Sequence, residues 1–286
     1  MALSKKYKWI PTHLREEEFN KFILMHLSNG KRGPDKKISS YSSFCYIIRV
    51  LSTGMKWEDL EIKKDESGDP EIHHSSIFKT FKMWVDNGSF DNIFAASVIN
   101  LFKNRLVDCS VLHGDGTNHV AKKGGDNIGR NGHKKIKGDK VVAVCDRNVN
   151  VIAPFVEAPG NCNECTLLKP CIVKIKKMFS ILDFDLSGII LSLDGIYNSK
   201  SNRKSIFNSG MKPNINLRKC DKKRSGRKQM FNKKIFKERF NTIERLFAWE
   251  DKFRRVISRF EHISKHFYGF KLLAYTMINL RHFVVR

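Results

Sequence analysis

KVVAVCDRNVNVIAPFVEAP (140–159) decides the fold class. Its two β-branched runs, KVVAVCD (140–146) and VNVIAPFVEAP (149–159), are separated by Arg147-Asn148, a spacing that fits a hairpin. Upstream, CSVLHGDGT (109–117) is a short apolar run that ends in polar residues. Downstream, SGIILSLDG (187–195) is a strand bounded by glycines, and KPNINLR (212–218) is a last strand. NECTLLKPCIVKIKKMF (163–179) reads as helical after its Pro, KSNRKSIFNSG (200–210) as a short helix ending at Gly210, and residues 233–262 as one long helical pattern. Strands first, a helix between strands and a long helix last predict an α/β layer around a mixed sheet.

The preceding hundred residues have the helical period instead. REEEFNKFILMHL (15–27), SYSSFCYIIRVLSTG (40–54, stopped by Gly54) and HHSSIFKTFKMWVDNGSFDNIFAASVINLFKN (73–104, broken at Asn87-Gly88) are amphipathic, and Ser75 or Ser76 is the expected cap of the third. Phe44, Tyr46, Trp57 and Trp84 are expected in the core of this part. The change of period divides the chain into a helical region, 1–108, and an α/β region, 109–286.

Charge narrows the function. The 286 residues carry 53 Lys and Arg against 29 Asp and Glu, a formal net charge of +24. Self-repulsion of that size is relieved by a polyanionic partner, which argues against an ordinary small-molecule enzyme. An anionic membrane is the poorer candidate. MALSKKYKWIPTHL lacks a signal-peptide core, and the nearest approach to a span, YGFKLLAYTMINLRHF (268–283), carries Lys271, Asn279 and Arg281 and reads as a buried helix. Seven cysteines, scattered from Cys45 to Cys220, fit reduced thiols in a cytoplasm. Cys162, Cys165 and Cys171 lack the paired couplets of a zinc site and read as small packing groups.

Three acids stand out by position. Asp115 and Asp194 each follow an apolar run, where a strand end would hold a carboxylate rigidly at a sheet edge. Glu244 lies beside the helical face Phe236, Phe240, Ile243, Phe247. Close carboxylates repel unless a cation sits between them, and oxygen-only ligands suit Mg²⁺ or Mn²⁺. From the residues alone, turn chemistry is the commoner reason for an Asp-Gly pair, and Asp146, Asp183, Asp185 and Glu261 are equal competitors.

The ordered set GDGTNHVAKKGG (114–125), GHKKIKGDKVVAVCD (132–146), LSLDGIYNSK (191–200) and RFNTIERLFAWEDKFRRVISRFE (239–261) resembles the DDE transposases of bacterial insertion sequences, and more narrowly the insertion-sequence-five family. GKRGPDKK (30–37), VLSTGMKWEDL (50–60) and SSIFKTFKMWVDNGSFDNI (75–93) are similar to that family's N-terminal region. The resemblance implies an RNase H-like mixed sheet flanked by helices, behind a mostly helical DNA-binding region. It implies a transposase that binds terminal inverted repeats, cleaves DNA and joins 3′ ends to target DNA by a two-metal mechanism. It assigns Asp115 (D-x-T), Asp194 (D-x-x-Y, ending at Tyr197) and Glu244 (before Arg-x-Phe-Ala-Trp) as the acids that hold Mg²⁺ or Mn²⁺. The family's Tyr, Arg, Glu, Lys signature fits only at the glutamate. Its other slots hold Lys237, Phe240 and Asp251, with Arg239 and Lys252 one position away, so only Glu244 carries over. Glu164 falls where relatives often have an acid before the helix; it reads as a helix N-terminal residue, with a site role as the less favoured alternative. A related nuclease without strand transfer, or a DNA-binding protein without catalysis, are the alternatives.

Double-stranded DNA is the expected partner, gripped by basic clusters: Lys31, Arg32, Lys36 and Lys37; Lys134, Lys135 and Lys137; and Lys222, Lys223, Arg224, Arg227 and Lys228. Residues 218–240 alone hold eleven basic residues and two acids, beside the glutamate helix. Paired DNA ends imply a homo-oligomer on DNA, in a bacterial cytoplasm and without a membrane.

Overall fold

A computed structural model describes residues 9–28, 37–218 and 229–284. The chain forms two compact units, Met1–Ser97 with Trp249–Arg286, and Val98–Ala248. Helices α1 (Glu16–Phe22), α2 (Ser40–Thr53), α3 (His74–Asp86) and α4 (Ser89–Lys103) come first. Then follow β1 (Val111–Ala121), β2 (Gly129–Asn131), β3 (Ile136–Cys145), β4 (Val156–Pro159), α5 (Glu164–Ile181), β5 (Ile190–Leu193), α6 (Lys200–Phe207) and β6 (Lys212–Ile215). Helices α7 (Lys233–Lys237), α8 (Ile243–Glu250) and α9 (Ser264–Leu280) complete the chain.

In the first unit, Ser39 caps α2 by accepting the Ser42 N–H (3.0 Å), and Gly54 ends it at φ 74°. Helix α3 starts two or three residues earlier than the serines suggested, so its cap is His73, whose ring accepts the Ser75 N–H, and not Ser75 or Ser76. Phe44, Tyr46 and Trp84 are buried as expected, and Trp57 lies half-buried against Phe78, Phe81 and Phe270. Helix α9 is buried from His266 to Leu280. It crosses α3 closely: Phe81 and Phe270 stack at 4.2 Å, and a Cβ on Gly269 would lie 2.5 Å from Val85. Its buried Lys271 is paired with Glu250, which also accepts from the Tyr275 hydroxyl (2.9 Å). The stretch nearest to a membrane span is therefore a core helix. Among the described residues, no helix is long and apolar enough to cross a membrane.

The second unit is built on a mixed sheet. Strand β3 pairs antiparallel with β1, β2 and β4, while β1, β5 and β6 run parallel, giving the order β2-β3-β1-β5-β6 with β4 also on β3. Antiparallel strands joined by hairpins on one side of a central strand, and parallel strands reached through helices α5 and α6 on the other, make the RNase H-like arrangement. The core is aliphatic and rich in valine: Val111, Leu112, Val141, Val142, Val144, Leu191 and Ile215 are all buried. The hairpin at Arg147-Asn148 forms, with Asp146 accepting the Asn150 N–H (2.7 Å) and Cys145 bridged to Val151 before β4 resumes the ladder at Val142–Val156.

Two helical expectations need correction. Helix α5 does not begin after Pro170 but six residues before it. Asn163 caps it by accepting the Cys165 N–H (3.0 Å), and the buried face Leu167, Leu168, Cys171, Ile172, Ile175 carries it through the missing proline N–H. The long helix over 233–262 breaks. A 3₁₀ turn (Glu238–Asn241) follows α7, and Thr242 leaves helical geometry at φ −122°, ψ −92°. The packed face is lost with it: Ile243 is buried, but Phe240 is 66% exposed.

Candidate active site

The parallel ladder between β1 and β5 ends at the pair Gly114–Leu193. Asp115 and Asp194 are the next residues on the two strands. Asp115 is not at the end of its strand, as the sequence suggested: β1 continues to Ala121 because β3 still pairs with it on the other side, Asp115 opposite Ala143. What ends there is β5, so two neighbouring strands deliver one aspartate each to the same spot. Asp194 precedes a 3₁₀ turn whose Tyr197 N–H donates to its carbonyl (3.1 Å). Glu244 comes from the first turn of α8.

All three carboxylates meet one guanidinium. Arg239 Nη2 is paired with Asp115 and lies 3.4 Å from Glu244 Oε1, and its Nη1 lies 3.5 Å from Asp194 Oδ1. The inner pair is sheltered, Asp115 at 17% and Arg239 at 15% side-chain exposure, while Asp194 (44%) and Glu244 (47%) face water. Burial pushes the Asp115 carboxyl up to about 6. The Arg239 charge and the Gly116 N–H (2.9 Å) pull against that shift, and Asp194 and Glu164 reinforce it.

Arg239 is positioned from behind. Burial is the largest single influence on the Glu238 carboxyl and raises it, but the two-pronged contact from Arg147 (Nε and Nη2, both 2.8 Å) together with His113 holds it below the usual range. The Thr242 hydroxyl donates back to the Glu238 carbonyl (2.9 Å). These bonds fix the 3₁₀ turn that breaks the helix. Buried His113, 3.4 Å from Glu238, is pushed down to about 4 by desolvation. The sequence signature had set Arg239 aside for being one position out of register; the turn is what brings it to the acids.

A fourth carboxylate, which the sequence favoured as a helix start, lies beside them. Glu164, the first residue of α5, lies 3.4 Å from the Tyr197 hydroxyl and 3.6 Å from buried Lys140. A Cβ on Gly116 would come within 2.7 Å of its carboxyl, so the glycine after Asp115 is what admits it. Asp115, Glu164 and Asp194 line a cleft of ≈ 470 Å³ shared with Arg130, His133 and Lys134. The available signal for Glu164 was its place before the helix, where relatives often have an acid.

The competing acids have structural work. Asp146 accepts backbone N–H groups of Asp108 and Asn150, Asp185 accepts the Ser187 N–H, Glu261 is paired with Arg255, and Asp183 is an exposed turn residue at φ 49°. Cys162, Cys165 and Cys171 belong to no metal group. Of the basic residues singled out, Lys37, Lys134, Lys135 and Lys137 are exposed. Lys31, Arg32, Lys36, Lys222, Lys223, Arg224, Arg227 and Lys228 lie outside the described residues.

Among the described residues, no three His, Cys, Asp or Glu side chains are grouped closely enough to grip an ion as they stand. The donor set still fits a hard divalent cation: it is all oxygen, anionic, and gathered around one positive group.

Three carboxylates and one arginine thus converge where β5 ends in a mixed α/β unit. The chain belongs to the DDE transposases: the family described as Transposase DDE domain matches residues 105–277, which hold all three acids and Arg239. Domains of this family generally use divalent metal ions. No curated protein matches the sequence. Among solved structures, the chain is similar to a Mos1 transposase paired-end complex with left transposon end (10% identity, TM-score 0.27), covering 65% of this chain and 61% of that one. It is also similar to a pre-cleavage Mos1 transpososome (9% identity, TM-score 0.27), covering 87% and 80%.

Proposed function

We propose that this chain is the transposase of a bacterial insertion sequence of the insertion-sequence-five type. It binds the element's terminal inverted repeats, cleaves DNA and joins the 3′ ends to target DNA, with Mg²⁺ or Mn²⁺ held by Asp115, Asp194 and Glu244. The observation that supports this most is the convergence of those three side chains, 79 and 50 residues apart in sequence, on one guanidinium. Bound divalent ions supply the positive charge that favours attacking and leaving phosphate oxygens together. The sheet backbone keeps Asp115 and Asp194 rigid, Glu244 completes the donor set from α8, and Arg130, Lys134, Lys135 and Lys137 hold the phosphate backbone beside the cleft. The clusters at 31–37 and 222–228 extend that grip. Residues 1–108 would dock the element ends and 109–286 carry the chemistry, as a homo-oligomer on DNA in a bacterial cytoplasm.

The test is to mix the protein, Mg²⁺ and labelled terminal-repeat DNA with a target plasmid. Joined products support a transposase, and cut ends alone mean a nuclease. Asp115→Asn, Asp194→Asn and Glu244→Gln should each abolish cleavage while retaining DNA binding. Cleavage by all three variants overturns the assignment, and no cleavage by the wild type with any divalent metal leaves a DNA-binding protein only.

A further inference from the structure

We propose that Arg239 is the resident counter-ion of the acid cluster, occupying through its guanidinium the position that divalent ions must take, so that loading the site requires the arginine to withdraw. This rests on the reading of Asp115, Asp194 and Glu244 as ion ligands. Three carboxylates around one guanidinium leave a local charge of −2; without the arginine it would be −3 in a partly dehydrated niche, which folding could tolerate only with another cation present. The planar fork matters, because Nη2 is shared by Asp115 and Glu244 while Nη1 faces Asp194; a single ammonium cannot present donors in that fixed pattern.

The arginine is built to be replaced. Its backbone is tethered through Glu238 to Arg147, so the turn stays put, while among the described residues the guanidinium is held by the acids and by the Phe236 face at 5.4 Å. The following residue, Phe240, is exposed, so one side of the turn opens to solvent. Arginine and ion therefore compete for the same oxygens, and each stabilises the fold in the other's absence.

The experiment measures Mn²⁺ binding to the full chain without DNA, by the electron paramagnetic resonance of free Mn²⁺, together with thermal melting in chelator and in saturating Mn²⁺. Arg239→Gln should bind Mn²⁺ about tenfold or more tighter than the wild type, the competition that one lost charge-assisted contact represents, with Arg239→Lys between them. The Gln variant should melt below the wild type in chelator and gain more from Mn²⁺. If it does not fold in chelator, recovery of a cooperative melt in Mn²⁺ supports the proposal, and failure to recover overturns it. Equal or weaker Mn²⁺ binding by Arg239→Gln, where Asp115→Asn abolishes binding, overturns the proposal alone. Absence of Mn²⁺ binding in wild type and variants alike overturns the ion-ligand reading and this proposal with it.

Discussion

Asp115→Asn should make the ion-free protein more stable, although it removes a charge that the proposed chemistry needs. The Asp115 carboxyl has an ordinary value of 3.8 and reaches about 6 in the folded chain, burial being the largest cause. The folded state therefore holds this proton more tightly than the unfolded chain does. The associated stability is fully present below pH 3.8 and is lost as pH rises through about 6. At pH 7 the ionised carboxylate costs the fold about 3 kcal/mol, the shift of about two units at roughly 1.4 kcal/mol each. An asparagine never ionises; its single oxygen keeps one of the two contacts that the carboxylate makes with separate oxygens, to the Gly116 N–H and to Arg239, so the loss of the other offsets part of the gain. Urea unfolding in chelator, followed by circular dichroism, should show variant and wild type nearly equal at pH 4, and the variant ahead by about 1–3 kcal/mol at pH 7. Saturating Mn²⁺ should narrow or reverse that order, because an ion that binds only the wild type stabilises only the wild type. A variant less stable than wild type at pH 7 in chelator, or a difference that ignores pH, would refute the reasoning.

Three other perturbations test the frame around the site. A Cβ on Gly138 would lie 1.8 Å from the His119 carbonyl oxygen, so Gly138→Ala must pry β1 from β3 and should cost more than about 3 kcal/mol in urea unfolding; a loss under 1 kcal/mol would contradict the register. His282 is pushed from 6.5 down to about 3 by burial, with Arg281 adding to it, so its contribution is present at pH 7 and lost as pH falls. Between pH 7 and pH 5 the unfolded chain gains the proton and the fold does not, about 2 kcal/mol that His282→Gln should remove from the pH dependence of unfolding. Arg147→Ala strips the two-pronged contact from Glu238 and should lower stability by about 2 kcal/mol and speed amide exchange at Arg239 and Phe240; unchanged exchange would mean that the turn is fixed by something else.

The sheet was legible because its strands announce themselves locally: Val141 to Val144 and Leu191 to Leu193 are buried, and their composition says so before any tertiary contact is known. Helix α9 was legible for the same reason, its one internal lysine being paired with Glu250 inside the first unit. The largest misreading lies where a long-range bond overrides a local pattern. The period over 233–262 is helical, yet Arg147, ninety-one residues upstream of Glu238, holds the turn that breaks it. Phe240 therefore faces solvent instead of the core. Pro170 looked like a helix start because proline favours that position, but the Asn163 cap and an apolar face on both sides of the proline set the boundary. Of the site, Asp115, Asp194 and Glu244 were reachable through resemblance to a family. Their competitors Asp146 and Asp185 are equally plausible as letters, and only the structure shows their carboxyls spent on backbone N–H groups. Glu164 read first as a helix start and Arg239 as one position out of register, since neither comes to the acids until β1, α5 and the 3₁₀ turn are brought together.

The distribution of charge around the cleft explains why a protein with a net charge of +24 keeps its acids where DNA is proposed to lie. Asp115, Asp194, Glu164 and Glu244 repel a phosphate, whereas exposed Arg130, Lys134, Lys135 and Lys137 attract one. Affinity from the basic side is sequence-independent and falls steeply with salt, while the acidic side opposes close approach until cations offset it. A strand can thus be held by the surrounding bases without its reactive phosphate settling among the acids. Arg239 sharpens that separation: with the guanidinium in place the cluster is partly neutralised, so the fold tolerates it, and is still negative, so it retains an attraction for divalent ions. Binding and chemistry are then governed by different residues in one cleft, which is why the amide variants of the acids are expected to hold DNA and yet leave it intact.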